Sequence, residues 1–311
     1  MKAIILKEAG PADNLQFTEL AVPTIGAGEV LVKVNAISIN PVDVKTRAGK
    51  GKWNQLREEG PVILGWDISG TVTATESPLF KVGDEVFGMV NFPGHGKAYA
   101  EYVAAPAAHL ALKPTNISHE EAAAATLAAL TAWQGMTGFT PILPGQKVLV
   151  HAAAGGVGHY AVQLAKYWGA YVIGTSSATN KAVVMDLGAD EHIDYTTRQL
   201  DDHAKDIDFV LDTLGGDNID RSLAIMKKNG TIVSLPSGLK EAVAEKAHAQ
   251  GINGHPMMVA SSGADMQKLA NLLEQGKLRS IVSKTFAFNE MVKAHEQVET
   301  GRTVGKVIVQ V

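Results

Sequence analysis

Apolar residues recur along this chain with two different periods, and the period changes near residue 116. Before that point the pattern is short and strand-like. Met1–Lys7 reads as a strand, and Glu29–Ile39 as a long one with partial alternation of apolar and polar positions. Ile68–Ala74, Glu85–Phe87 and Ala98–Ala104 continue the style. Pro23, Gly26, Gly28 and the run Lys81-Val-Gly-Asp84 supply the turns. Many short strands with little helix predict a mostly-β, barrel-like domain.

From residue 116 onward helical spacing takes over. Pro114-Thr-Asn116-Ile-Ser118 is turn-like, Ser118 with Glu121 forms a capping box, and an alanine-rich helix follows, with a second helical start at Thr131–Met136. Strands are then expected at Val148–Ala152, Tyr171–Thr175, His192–Tyr195, Phe209–Asp212 and Thr231–Leu235. Helices are expected at Gly158–Tyr167, Asn180–Leu187 and Asn218–Met226. Gly188 and Asn229-Gly230 fall where helix C-terminal turns belong. Such alternation predicts an α/β, doubly wound parallel sheet with right-handed crossovers.

The last fifty residues carry two amphipathic helices, Ala264–Gln275 and Asn289–Glu299, and a closing strand, Lys306–Val311. If that strand rejoins the N-terminal β domain, the parallel-sheet domain is an insertion. The expected division is residues 1–117 and 263–311 for the catalytic domain and 118–262 for the nucleotide domain, with substrate held in the cleft between them.

The chemistry concentrates at His151-Ala-Ala-Ala-Gly155-Gly156-Val157-Gly158. A strand, a glycine turn and a helix in that order make a phosphate cradle. Glycine admits close approach of a pyrophosphate, and the first helical N–H groups aim unpaired donors and the positive dipole end at it. The competing interpretation is a tight turn before an ordinary α/β helix. An NAD site usually carries an acidic residue about 20 residues past the glycines. No carboxylate occurs between Gly155 and Met185; Ser176 and Ser177 end the second strand and Lys181 lies just beyond. Small hydroxyls and a cation suit a 2′-phosphate, so NADPH is the expected cofactor.

Composition narrows the rest. The 311 residues contain no cysteine, which removes disulfides, a thiol nucleophile and thiolate zinc. The ten histidines are scattered without an HExxH motif, and no metal is expected. The net charge of −4 and the lack of a Lys/Arg cluster argue against nucleic acid. The Ala122–Trp133 run falls short of the ~20 residues that span a bilayer. The first six residues are too short for a signal peptide, so a cytoplasmic protein without membrane contact is expected.

These stretches carry a resemblance. Ser38-Ile-Asn40-Pro-Val-Asp43, Lys81–Gly88, Ala98–Tyr102, Leu127–Trp133, the glycine turn, Leu187–Asp190 with Ile193–Tyr195, and Gly305-Lys-Val307 run in order over nearly the whole chain. In them the chain resembles the medium-chain dehydrogenase/reductase superfamily, on its zinc-free quinone oxidoreductase branch with zeta-crystallin-like and enone reductase-like members. The resemblance implies a Rossmann sheet inserted into a GroES-like catalytic domain, and a homodimer. Zinc-dependent relatives carry Gly-His-Glu and cysteine ligands; this chain has Gly65-Trp66-Asp67 and no cysteine.

By matching motif, Gly155, Gly156, Val157 and Gly158 would hold pyrophosphate, and Ser176, Lys181 and Tyr195 the 2′-phosphate. Thr131, Ser234 and Leu235 would lie by the nicotinamide. Asn40 resembles the asparagine at the reacting end, although an asparagine that simply ends a strand looks the same. Lys45 stands where quinone reductases often carry tyrosine, so that proton-donor assignment lapses. It reads either as a hydrogen-bond donor to a developing enolate or as a surface lysine. The implied activity is NADPH-dependent hydride transfer to a quinone or an α,β-unsaturated carbonyl. The alternative is an NADPH-binding redox sensor or structural protein without turnover.

Overall fold

In the Glu29–Ile39 strand the first half alternates buried with more exposed side chains, whereas Ala36–Ile39 is buried throughout. The change has a packing cause: there the strand is covered by the Ser118-capped helix His119–Ala124, and Ala36 shares one cluster with Ala123, Ala124 and Ile308. The structure, a computed structural model, describes residues 1–59, 62–235 and 240–311. It divides into two units, Met1–Leu130 with Ala260–Val311, and Thr131–Val259.

The first unit holds β1 (Lys2–Leu6), β2 (Leu15–Glu19), β3 (Glu29–Ile39), β4 (Val62–Ile63), β5 (Asp67–Thr75), β6 (Glu85–Met89), β7 (Tyr102–Pro106) and β8 (Leu110–Leu112). The second holds β9 (Lys147–Val150), β10 (Tyr171–Ser176), β11 (Glu191–Asp194), β12 (Ile207–Asp212), β13 (Met226–Ser234) and β14 (Asn253–Pro256). The chain then returns to the first unit with β15 (Val282–Ala287) and β16 (Lys306–Gln310).

In the first unit β16 lies antiparallel to β3, pairing Val307 with Ile39, and the sheet runs β15-β16-β3-β5-β6-β8 with β7 also on β3. The closing strand thus rejoins the N-terminal sheet. In the second unit every pair is parallel, in the order β11-β10-β9-β12-β13-β14. Numbered within the unit this is 3-2-1-4-5-6, the Rossmann order. Its core is aliphatic, built from Leu149, Ile173, Val210, Ile232 and Val243 among others.

Several boundaries differ from expectation for local reasons. The strand expected over Ala98–Ala104 starts only at Tyr102, because Tyr99 turns inward against Gly65, where an added Cβ would lie 2.4 Å from the ring. The second helical start at Thr131 is the middle of a helix, Leu127–Thr137. The helix expected to reach Met226 ends at Leu223, and Met226 opens β13. A helix at Pro41–Arg47 was not expected, although Asn40 as N-cap, Pro41 in the first turn and Asp43 three residues on are its signal.

Candidate functional site

β9 leads into a turn in which Ala152 adopts φ +48° and the Gly155 N–H donates to the Ala152 carbonyl (2.8 Å). That carbonyl lies 2.1 Å from where a Cβ on Gly158 would sit, so the helix Gly158–Tyr167 can start here only with glycine. The first helical hydrogen bonds come from His159, to Gly155 (3.1 Å), and Ala161, to Val157 (3.1 Å). Among the described residues the amides of Gly156, Val157 and Gly158 make no backbone hydrogen bond. Unpaired donors, a helix start and a cradle that a side chain would fill fit a pyrophosphate.

Two histidines beside the turn are already hydrogen-bonded. His159 Nδ1 donates to the Gly155 carbonyl (2.9 Å). His151, 3% exposed, lies between Thr175 Oγ1 (3.2 Å) and Ser222 Oγ (2.9 Å). Ser222 Oγ already donates to the Asn218 carbonyl (2.6 Å), so His151 Nε2–H is the donor to it and Nδ1 accepts from Thr175. Burial, opposed by Asp212, holds this imidazole below its ordinary pKa and neutral.

The ends of β10 and β11 bring Ser176, Lys181 and Tyr195 together. Ser176 is buried, Lys181 is exposed at the start of the helix Lys181–Asp186, and Tyr195 is 66% exposed with its N–H on the Ser176 carbonyl (3.4 Å). Two residues without a signal in the linear sequence join them. His192 Nε2 meets Ser176 Oγ at 2.8 Å, and Arg198 follows the turn after β11, its N–H on the Asp194 carbonyl (3.0 Å). Burial lowers the pKa of His192; Asp194 opposes that, while Lys181 and Arg198 add to it. The strand pairing also adds a carboxylate from outside the stretch that follows the glycines, since Asp194 pairs with Ser176. Its oxygens are turned into their own loop, accepting from Thr196 N (3.0 Å), Thr196 Oγ1 (2.7 Å) and Thr197 Oγ1 (3.0 Å).

At the end of β13, Ser234 Oγ donates to Asp212 Oδ2 (2.8 Å), and Leu235 N–H bonds the Asp212 carbonyl (2.9 Å). Asp212 also accepts from the N–H groups of Leu214 (3.0 Å) and Gly215 (2.9 Å), which fixes the turn after β12. Thr131 is 6% exposed within its helix.

Asn40 and Lys45 belong to the other unit. Asn40 is 1% exposed, and both ends of its amide are used. Nδ2 donates to Asp67 Oδ2 (2.7 Å), and Oδ1 accepts from the Lys306 ammonium, which also donates to the Ile39 carbonyl (3.1 Å). Asp43 Oδ2 accepts the Asn40 backbone N–H (2.5 Å), and Asp67 Oδ1 that of Leu127 (3.1 Å). One buried lysine thus bonds the Asn40 amide and acts on the two carboxylates through space. Burial, with Asp67 adding to it, pushes Asp43 up to about 8; burial pushes Asp67 up and Lys306 down. Lys306 carried no signal beyond its place in a hydrophobic strand. Lys45 is exposed on the Pro41–Arg47 helix.

Trp66 is packed against Phe92 and donates Nε1–H to the Gly94 carbonyl (2.6 Å). Where zinc-dependent relatives have Gly-His-Glu, this chain therefore has a core indole and a carboxylate bonded to an amide. Among the described residues no three or more His, Asp or Glu side chains gather as a metal site, and no helix is long and apolar enough to cross a membrane.

A parallel sheet in this order with a glycine turn after its first strand defines a dinucleotide-binding protein. Residues 26–115 match the family described as alcohol dehydrogenase GroES-like domain, and residues 187–309 the family described as zinc-binding dehydrogenase. The chain is 35% identical over 323 residues to a 2-methylene-furan-3-one reductase of Solanum lycopersicum, covering 99% of this chain and 79% of the relative. It is 34% identical to an NADPH-dependent alkenal/one oxidoreductase, chloroplastic, of Arabidopsis thaliana, with coverage of 99% and 79%. The quinone oxidoreductase structure from Coxiella burnetii superimposes with TM-score 0.95 at 36% identity, covering 100% of this chain and 99% of the other. The protein belongs to the medium-chain dehydrogenase/reductase superfamily, on its zinc-free quinone oxidoreductase and enone reductase branch. It is an NAD(P)H-dependent oxidoreductase of the medium-chain type.

Proposed function

We propose that this enzyme is a zinc-independent reductase that takes NADPH and reduces a quinone or an α,β-unsaturated carbonyl. The observation that carries the cofactor choice is the end of β10. There Ser176 Oγ meets His192, Lys181 and Arg198 both act on that imidazole, and Tyr195 follows the neighbouring strand. The end of the second strand is where a Rossmann site holds the ribose 2′ group, which supports assigning these residues to a 2′-phosphate. Two cations and a hydroxyl are what a phosphate recruits. The names of the two relatives and the solved structure above support the acceptor class.

When bound, the nicotinamide supplies a hydride to an electrophilic carbon, and negative charge develops on the acceptor's oxygen. The chain's own work is binding and orientation. Gly156, Val157 and Gly158 present amides to the pyrophosphate; Thr131, Ser234 and Leu235 are assigned to the nicotinamide end. Asn40 is better read as a positioning residue than as a donor to substrate, because its amide would have to break from Asp67 or Lys306 to serve. Its amide ties the start of the Pro41–Arg47 helix to Asp67 and Lys306, and so holds the segment that carries Lys45, which is assigned to donate a hydrogen bond to the charged oxygen.

A second reading, NADH, is favoured by one observation: Asp194 stands beside Ser176, and a carboxylate at that place suits a ribose hydroxyl. Lys181→Gln separates the two. NADPH affinity is expected to fall roughly three- to tenfold, the worth of one charge-assisted contact at an exposed site, with NADH affinity unchanged. Equal affinity of the unaltered protein for both nucleotides would remove the NADPH assignment.

A further inference from the structure

We propose that His192 is a specificity-determining residue that couples recognition of the NADPH 2′-phosphate to uptake of a proton. The inference rests on the NADPH reading above and extends it to a residue outside the glycine turn.

The geometry fixes which nitrogen is available. Ser176 Oγ donates to the Ser177 carbonyl (3.1 Å), so its contact with His192 Nε2 (2.8 Å) has the imidazole N–H as donor. Nδ1 is then the atom that gains a proton. The charged groups acting on the ring are Asp194 on its own strand, Lys181 at the start of the facing helix, and Arg198 in the turn that follows β11. The neighbouring β10 contributes Gly174, in register with His192, and Ser176, and so no charge.

Without nucleotide, partial burial and two nearby cations keep the ring neutral near pH 7. A phosphate placed among Ser176, Lys181 and Arg198 brings nearly two negative charges, which offset both cations and favour the imidazolium. In the binding step one proton passes from solvent to Nδ1, and no other bond is made or broken. NADH has no 2′-phosphate and draws no such proton. A group whose pKa rises on binding takes up protons, so NADPH affinity strengthens as pH falls through the window between its free and bound values. The phosphate's own second ionisation, near about 6, acts oppositely: surrounding cations hold it ionised and release protons. Net uptake is therefore the signature of His192.

The test is calorimetric titration of the full chain with NADPH and with NADH, in two buffers of different ionisation enthalpy, from about pH 8 to about pH 6.5. The unaltered protein is expected to take up a fraction of a proton with NADPH and none with NADH. NADPH affinity is expected to rise several-fold over that range, with about tenfold the limit for a one-unit shift. His192→Gln keeps a donor for Ser176; it is expected to abolish the uptake and flatten the pH dependence while leaving NADH affinity intact. Arg198→Gln is expected to weaken NADPH yet retain the uptake. The same uptake and the same pH dependence in His192→Gln would overturn the role of His192 alone. Absence of any preference for NADPH in the unaltered protein would overturn the cofactor reading and this inference with it.

Discussion

Gly158 is the residue at which backbone geometry and function meet most tightly. A methyl group there lies 2.1 Å from the Ala152 carbonyl, and that oxygen is already bonded to Gly155 N–H, so the turn has no easy way to yield. Gly158→Ala is expected to cost about 1–3 kcal/mol by overpacking. It should also abolish nucleotide binding, because relief of the clash displaces the amides of the helix start. Thermal unfolding and titration of nicotinamide fluorescence read the two effects separately. A Gly158→Ala protein that binds NADPH with unchanged affinity would contradict the cradle. Gly155 is less constrained, since its added Cβ would come only to 3.1 Å of the same carbonyl.

At the scale of elements, the cluster that joins β3, the Pro41–Arg47 helix, β5 and β16 makes stability depend on pH. Asp43 is raised from 3.8 to about 8 in the folded chain. An acid so raised stays protonated in the fold after the unfolded chain has lost its proton. The unfolded state then binds fewer protons, and stability falls as pH rises from about 4 to about 8. Asp43→Asn keeps an acceptor for the Asn40 N–H and removes the titration. Its melting temperature should exceed that of the unaltered protein at about pH 8, with the gap closing toward about pH 5. A gap that does not change with pH would show that Asp43 is ionised throughout.

How far the molecule is legible in its sequence differs from element to element. The helix Gly158–Tyr167 and the strand Glu29–Ile39 follow from local spacing, and the structure gives them those limits. β14 is not legible because Asn-Gly-His-Pro has no strand character. It is an edge strand, which tolerates Pro256, and Gly254 lets it approach the Val243 carbonyl, 2.4 Å from where a Cβ would be. The Pro41–Arg47 helix is legible in its cap, but the chemistry that Asn40 suggests hides its capping role. Lys306 and His192 lie beyond reach, because their partners are 266 and 16 positions away and only strand pairing brings them together.

For the whole molecule, the relatives establish an NAD(P)H oxidoreductase, and the acceptor is where a proposal begins. The most direct measurement is consumption of NADPH, with NADH in parallel, against benzoquinone, phenanthrenequinone and a series of 2-alkenals and enones. Lys45→Met is assayed beside the unaltered enzyme. Turnover of at least one acceptor class is expected with NADPH in preference to NADH. With the enones, kcat should fall about tenfold or more in the Lys45→Met variant, as for loss of one donor to a developing oxyanion, with NADPH affinity unchanged. Tight NADPH binding with no turnover of any of these acceptors would contradict the assignment of both acceptor classes.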